Sequence, residues 1–289
     1  MKKILKTTSV LMLLLVAALL LASCSPKKDP GDKDAKPETV DKSKVLAYFP
    51  LKEDNRWVYR AQVVTVLTGN ENIETNTMMT YRCAGDAKMG TTDTVLLEGY
   101  FKDQLFQREF YEITNDALIA HKRVMYTEGD DELESQMEPP EPMLKLPMED
   151  FKSWSWEGTM TRIETKDGPV ETKGRFDFKV SKKEEVTTPA GTFEAYRVEM
   201  DGSANDGSRV QSTRWYAENV GMVREISRVT YNVDSQKAEL DNLIKQGYIK
   251  PEDAKNYTII ETVDITADLR SYTIDGITTP IPGRGDTDI

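Results

Sequence analysis

The sequence predicts a mainly β protein of curved antiparallel sheets, half-barrel or sandwich-like. Three observations carry that expectation. Apolar and polar residues alternate with period two in several segments, as strands with one buried and one wet face require. Gly, Pro, Asn and Asp cluster between those segments, where turns need left-handed or preset backbone angles. A pattern of apolar-Pro-apolar, polar turn and aromatic strand also occurs twice, 97 residues apart: Phe49-Pro50-Leu51 before Trp57-Val58-Tyr59, and Leu146-Pro147-Met148 before Trp154-Ser155-Trp156. A true repeat would make the body two duplicated units of about 100 residues each.

Taken in order, residues 1–23 read as a secretory signal. Lys2, Lys3 and Lys6 give a positive start, and Val10 to Leu21 is an unbroken apolar run of twelve residues. The layout is that of an export signal, and the run is shorter than the ~20 residues a membrane-spanning helix needs. Leu21-Ala22-Ser23-Cys24 follows at once. These four residues resemble the lipobox of bacterial lipoproteins. The resemblance implies cleavage between Ser23 and Cys24, a palmitate-like diacyl or triacyl group on Cys24, and membrane lipid as the partner of that group. Each buried methylene adds about 0.8 kcal/mol, so two chains or more anchor stably where one does not. Ser25 follows the Cys. In an organism with two membranes the same resemblance favours the outer one, with the body facing the periplasm or cell exterior.

Residues 24–44 hold the acylated Cys and a tether rich in Pro, Lys, Asp and Ser. Such a stretch buries too little apolar surface to offset the entropy of ordering, and its reach is roughly 25 Å. The 266 residues from Cys24 onward can build a large core. The whole chain carries a formal charge of −11, or −14 once the three signal lysines are discounted. That acidity argues against nucleic acid as a partner.

An N-terminal β unit is expected over 45–127. Its opening strand places Trp57, Tyr59, Ala61 and Val63 on one face. Residues 128–143 (EGDDELESQMEPPEP-M) are acidic and Pro-rich, which predicts a solvated linker loop. A C-terminal β unit is expected over 144–280. Within it, Phe176, Phe178 and Val180 share a face, as do Tyr196, Val198 and Met200, and later Ile259, Val263 and Ile265. A helical insert near 234–256 is predicted by Ala238, Leu240, Leu243 and Ile244 at helical spacing, with Gly247 as C-cap and Pro251 opening a second short turn. Residues 281–289 read as a flexible tail.

The run Pro189-Ala190-Gly191-Thr192-Phe193 and the later Trp215-Tyr216-Ala217-Glu218-Asn219-Val220-Gly221-Met222-Val223 resemble motifs of poorly characterised β-rich envelope lipoproteins. The resemblance implies a curved antiparallel sheet and assigns no catalytic residue. Physically, Gly191 and Gly221 are turn glycines, and Trp57, Trp154, Trp156 and Trp215 are structural anchors rather than sugar platforms.

No catalytic constellation stands out. His121 is the sole histidine, which rules out a three-His zinc site, and no Gly-x-Ser-x-Gly elbow accompanies it. Cys83 is the sole thiol left once Cys24 is acylated; burial as a small apolar residue is expected. The loop Asp201 to Gly207 lacks the glycine and glutamate that a calcium-binding loop requires. No cofactor and no metal are expected. The function expected is therefore a non-enzymatic, membrane-anchored envelope lipoprotein that binds a lipid or other hydrophobic ligand, or an envelope protein partner. A hydrolytic or carbohydrate-active enzyme built on a carboxylate pair is one alternative, and a purely structural tethered domain is another.

Overall fold

The computed structural model describes residues 41–69, 72–126, 132–150, 152–164, 168–247 and 249–279. The expected signal 1–23, Cys24, nearly all of the expected tether and the expected tail 281–289 lie outside these residues.

Helix α1 (Ser43–Tyr48) opens the described chain. Six strands follow: β1 (Arg56–Leu67), β2 (Ile73–Met89), β3 (Thr92–Phe101), β4 (Gln104–Ile113), β5 (Ala117–Tyr126) and β6 (Glu132–Lys145). A 3-10 turn, Met148–Asp150, leads into the next group. That group is β7 (Ser153–Glu164), β8 (Gly168–Thr188), β9 (Gly191–Ala204), β10 (Arg209–Ala217) and β11 (Gly221–Thr230). Helix α2 (Val233–Lys245) and a 3-10 turn, Pro251–Asn256, precede β12 (Ile260–Ile274) and the short β13 (Ile277–Thr278).

Each strand pairs antiparallel with the one before it, and β1 also pairs with β12. The sheet therefore closes into a twelve-strand barrel, with β13 folded back on β12. This corrects the half-barrel or sandwich expectation. The two expected units share one sheet, because β6 pairs with β7 and β12 with β1. Closure satisfies edge groups that two open sheets would leave unpaired.

The inward face follows the alternation of the sequence. Trp57, Tyr59, Ala61 and Val63 of β1 are buried, as are Phe176, Phe178 and Val180 of β8. On β12 the pattern shifts. A bulge between Val66 and Leu67 lets Leu67 pair with Ile260, so Ile260 rather than Ile259 is buried beside Val263, Ala267 and Leu269. The outward face carries charge. Arg224 meets Asp268 at 2.5 Å, Arg228 meets Asp264 at 2.5 Å and Arg209 meets Asp201 at 2.5 Å, each across neighbouring strands. A lipid-facing barrel needs an apolar outer band instead.

The acidic Pro-rich segment expected to be a loop is largely strand. Over Glu132–Lys145 it forms β6, held to β5 by two ladders with a multi-residue bulge between Ala120 and Lys122. Its prolines are tolerated because the ladder to β7 covers only Glu134 to Glu138. Beyond that, two indoles of β7 satisfy proline carbonyls of β6 that the ladder leaves unpaired. Trp156 donates from Nε1 to the Pro139 carbonyl at 2.8 Å, and Trp154 does the same to Pro142 at 2.8 Å. The same rings stack on Phe176 and Phe178 of β8.

One end of the barrel is stoppered by residues 43–51. Val45 is fully buried, and Phe49 reaches inward to the rings of Trp57, Tyr111 and Tyr216. The Asn219 amide donates to the Ala47 carbonyl, and Asn55 donates from its side chain to Pro50 O at 2.7 Å. Gly221 has φ +99°, and a Cβ there would meet Trp57 and Pro50 at 3.3–3.4 Å, so the turn needs glycine on both counts.

Leu269 of β12 is fully buried opposite Tyr59 of β1, at the closing ladder. Leu269→Ala is expected to cost about 2–5 kcal/mol in urea unfolding. Ile226→Ala, at an outward position 46% exposed, is expected to stay within about 0.5 kcal/mol.

Candidate functional site

Twelve strands enclose more space than their side chains fill. The aromatic ladder of β7 and β8 fills one side of the interior. Against the other strands a cavity of about 140 Å³ remains. Its wall is mostly ring and thioether surface: Phe49 from the stopper, then Trp57, Tyr59, Tyr81, Tyr111 and Tyr216, with Met79, Met143, Met200 and Met222 between them.

Charge is built into this apolar wall. Arg123 of β5 donates from Nε to Glu109 Oε1 at 2.7 Å and from Nη1 to Glu141 Oε2 at 3.4 Å. Tyr111 donates to Glu109 Oε2 at 2.9 Å. Across the lumen, Arg214 of β10 holds Glu225 of β11 through Nε at 3.0 Å and Nη2 at 2.9 Å, and Ser212 donates to the same oxygen at 3.3 Å. Arg123 and Glu141 are closed off, whereas Arg214 and Glu225 keep 25% and 19% of their side-chain surface open, and that surface lines the cavity.

The electrostatics follow from this enclosure. Burial raises the Glu141 carboxyl, and the attraction of Arg123 and Arg214 only partly offsets it. Burial is the strongest single influence on Arg214 and works against its charge, but Glu225, Tyr216 and Tyr111 together outweigh it and keep the guanidinium protonated. Arg123 is held the same way against its burial, by Glu141 and then Glu109. Burial likewise pushes the hydroxyls of Tyr59, Tyr81, Tyr111 and Tyr216 above their ordinary value.

A second, open groove of about 630 Å³ crosses the outer face of β8 to β12. Its charges neutralise one another: Asp177 is bound by Arg175, Asp201 by Arg209, and Asp264 by Arg228. It is a wet, self-compensated surface with little to hold a ligand.

The residues singled out in the sequence fall at structural positions. Trp57 donates to Val220 O at 2.6 Å and Trp215 donates to Glu184 Oε1 at 2.6 Å, so all four indoles have acceptors. Gly191 (φ +136°) and Gly221 sit in the hairpin turns that open β9 and β11. Cys83 is buried on β2, and burial raises its thiol pKa. His121 on β5 contacts Glu112 Oε2 at 2.8 Å. Two strands separate β2 from β5, roughly 14 Å at sheet spacing, so Cys83 and His121 cannot act together. Asp206 caps its own turn by accepting from Ser208. Among the described residues no group of three or more His, Cys, Asp or Glu is placed to hold a metal.

A family profile described as DUF3108-like matches residues 52–238. That is well over half of the chain, from the start of the barrel into α2. The chain belongs to the DUF3108-like family. The matched span carries all five lumenal charged groups and omits both the stopper and β12, the strand that closes this DUF3108-like barrel.

Two crystal structures are similar to the chain. One is of a candidate lipoprotein from Parabacteroides distasonis ATCC 8503, at 14% identity over 77% of this chain and 98% of that one, with a TM-score of 0.36. The other is of a candidate exported protein with a YmcC-like fold from Bacteroides fragilis NCTC 9343, at 12% identity over 77% and 98%, with a TM-score of 0.32. The architecture described here rests on the chain's own strand pairings. No curated protein matches the sequence.

The lumenal charges were not singled out in the sequence, although a signal for them exists. Glu109 shares a strand face with Gln107 and Tyr111, Arg214 with Ser212 and Tyr216, and Glu225 with Val223 and Ser227. A charged residue in the apolar phase of a strand is a marker of a polar lumen.

Arg123→Ala leaves Glu109 and Glu141 buried without their cation, and is expected to cost about 3–5 kcal/mol in urea unfolding. The raised Glu141 pKa has a defined sign in pH dependence. The folded protein holds that proton more tightly than the unfolded chain, whose carboxyl titrates near the ordinary 4.5. The stability it gives is complete below that value and is lost as pH rises through the raised folded value. Glu141→Gln has no such proton, so its unfolding free energy should be flatter across that window in a urea series run at stepped pH.

Proposed function

We propose that this DUF3108-like chain is a non-enzymatic, lipid-anchored protein of the bacterial envelope whose barrel holds a small hydrophobic ligand in its lumen. The observation that carries the reading is the cavity. It is a partly open recess of the lumen, walled by aromatic rings and methionines, and contains a charged pair that faces into it. Sites for small molecules combine apolar walls with a few placed polar groups in this way. Methionine adds adaptability, since its unbranched thioether fills irregular space and yields to a ligand.

The volume limits the ligand. A cavity of about 150 Å³ takes a benzene-sized guest, and 140 Å³ is similar. A whole acyl chain is too large for the lumen at that volume, so the reading favours a compact molecule or the head of a longer one. The carboxylates offer less to a hydrolase. Glu109 and Glu141 converge on Arg123 rather than across an open cleft, and Glu141 is 1% exposed.

The anchor reading is supported by the signal layout and by Leu21-Ala22-Ser23-Cys24. The stopper at 43–51 directly follows the tether, which supports a pose with the stoppered end toward the bilayer and α2 away from it. The charged outer face suits a body held in water beside the membrane.

Two measurements on the expressed full chain test this. Wild type should fractionate with membranes and carry diacylglyceryl mass on Cys24, while Cys24→Ser should remain unprocessed and unacylated. Native mass spectrometry of the purified chain should show a copurified small molecule. Normal processing and membrane retention of the Ser variant overturns the anchor, and a barrel that never carries or takes up a small molecule overturns the lumenal site.

A further inference from the structure

We propose that the lumen is a site for a small organic cation, a methylated or alkyl ammonium group, held by aromatic faces and by uncompensated carboxylate charge. The inference rests on the lumenal-ligand reading above and names the chemistry of that ligand.

The charge count comes first. Glu109 and Glu225 line the cavity with Arg123 and Arg214, and Glu141 is buried against Arg123; the five groups act on one another: Arg214 and Glu109 both act on Glu141, and Arg214 acts on Tyr111 as well. With every group ionised the interior holds one negative charge in excess. An uncompensated charge in a low-dielectric interior costs several kcal/mol and has to be relieved. A proton on Glu141 relieves it in one way. A cation in the cavity relieves it in another, and leaves all three carboxylates ionised.

The wall decides what kind of cation. Six rings, those of Phe49, Trp57, Tyr59, Tyr81, Tyr111 and Tyr216, line a space of about 140 Å³. Aromatic faces attract cations within about 6 Å, and cages of them are a recurrent way of binding quaternary ammonium groups. A metal ion needs several oxygen or nitrogen ligands converging at short range, and no such group occurs among the described residues. An alkyl ammonium needs none; it carries its charge inside an apolar shell that matches rings and thioethers.

The same wall disfavours an anion. Arg123 is already spent on Glu109 and Glu141, with Nη2 against the Met143 sulfur at 3.3 Å. Arg214 is spent on Glu225 through two N–H groups. An anionic guest would have to displace a carboxylate and deepen the negative excess. Glu225 is the group best placed for a cation. Its Oε1 collects the Arg214 and Ser212 donors, and among the described residues no donor reaches Oε2.

The test uses three probes of similar size on the detergent-extracted full chain, followed by calorimetry and Trp fluorescence. They are choline, its neutral carbon isostere 3,3-dimethyl-1-butanol, and butyrate. Choline should bind saturably, the neutral isostere at least tenfold more weakly, and butyrate not at all. Glu225→Gln should weaken choline at least tenfold and leave the isostere unchanged. If that variant does not fold, Tyr81→Leu, which removes a ring and no charge, should weaken choline more than the isostere. Equal binding of choline and the isostere overturns the cation and leaves the lumenal site standing. Preferred binding of butyrate overturns the cation as well. If no probe binds, the inference fails, and the lumenal reading fails with it when native mass spectrometry also finds the barrel empty.

Discussion

The ladder between β1 and β12 joins the first strand of the body to its last through twelve register pairs. Without it, Trp57 and Tyr59 on one side and Ala267 and Leu269 on the other would line an open edge. With it, every strand from β1 to β12 has two neighbours, and the inward side chains line a common interior. The cost is topological: residues some 200 positions apart must meet before this pairing rewards the chain, and non-local pairing of this kind slows folding. Closure also fixes the size of the interior. Twelve strands leave a lumen too wide for side chains alone, and the chain meets that surplus with the 43–51 stopper, the Trp and Phe ladder of β7 and β8, and a residual cavity.

The five inward charged groups depend on that closure. In water the Arg123 and Arg214 pairs would contribute little. Inside the barrel their attraction is stronger, but so is the penalty for any group left unmatched. The tyrosines help to pay this penalty down: Tyr111 donates to Glu109, and Tyr59 donates to the Met222 carbonyl at 2.7 Å. The imbalance of three carboxylates to two guanidiniums is therefore a property of the assembled barrel. No segment of sequence carries it, because the five groups come from five different strands, β4, β5, β6, β10 and β11.

Much of the local structure was legible. The alternation around Trp57, Phe176 and Tyr196 marked strands and their buried faces, because the pleat has a period of two. The α2 prediction also matched, with Asn232 capping the helix through Asp234 N and Ser235 N. Its Leu240, Leu243 and Ile244 remain only half-buried, so helical spacing identified the helix without saying how deeply it would pack. Two expectations failed for physical reasons. Residues 132–145 looked like a loop because prolines remove ladder donors, yet the ladder to β7 stops at Glu138 and indole N–H groups from β7 satisfy the carbonyls of Pro139 and Pro142. Ile259 was placed inward by simple alternation, but one bulge moved that role to Ile260.

The sequence by itself determined the strand-rich class, the buried phase of most strands, the helical insert and the turn glycines, because each depends on residues close together in the chain. Only the tertiary structure decided that the sheet closes, which end is stoppered, that Glu109, Arg123, Arg214 and Glu225 line one cavity, and that Glu141 is buried against Arg123. Those outcomes depend on pairings between distant strands, and the free energy of a buried charge is set by whatever the fold brings beside it rather than by its neighbours in sequence.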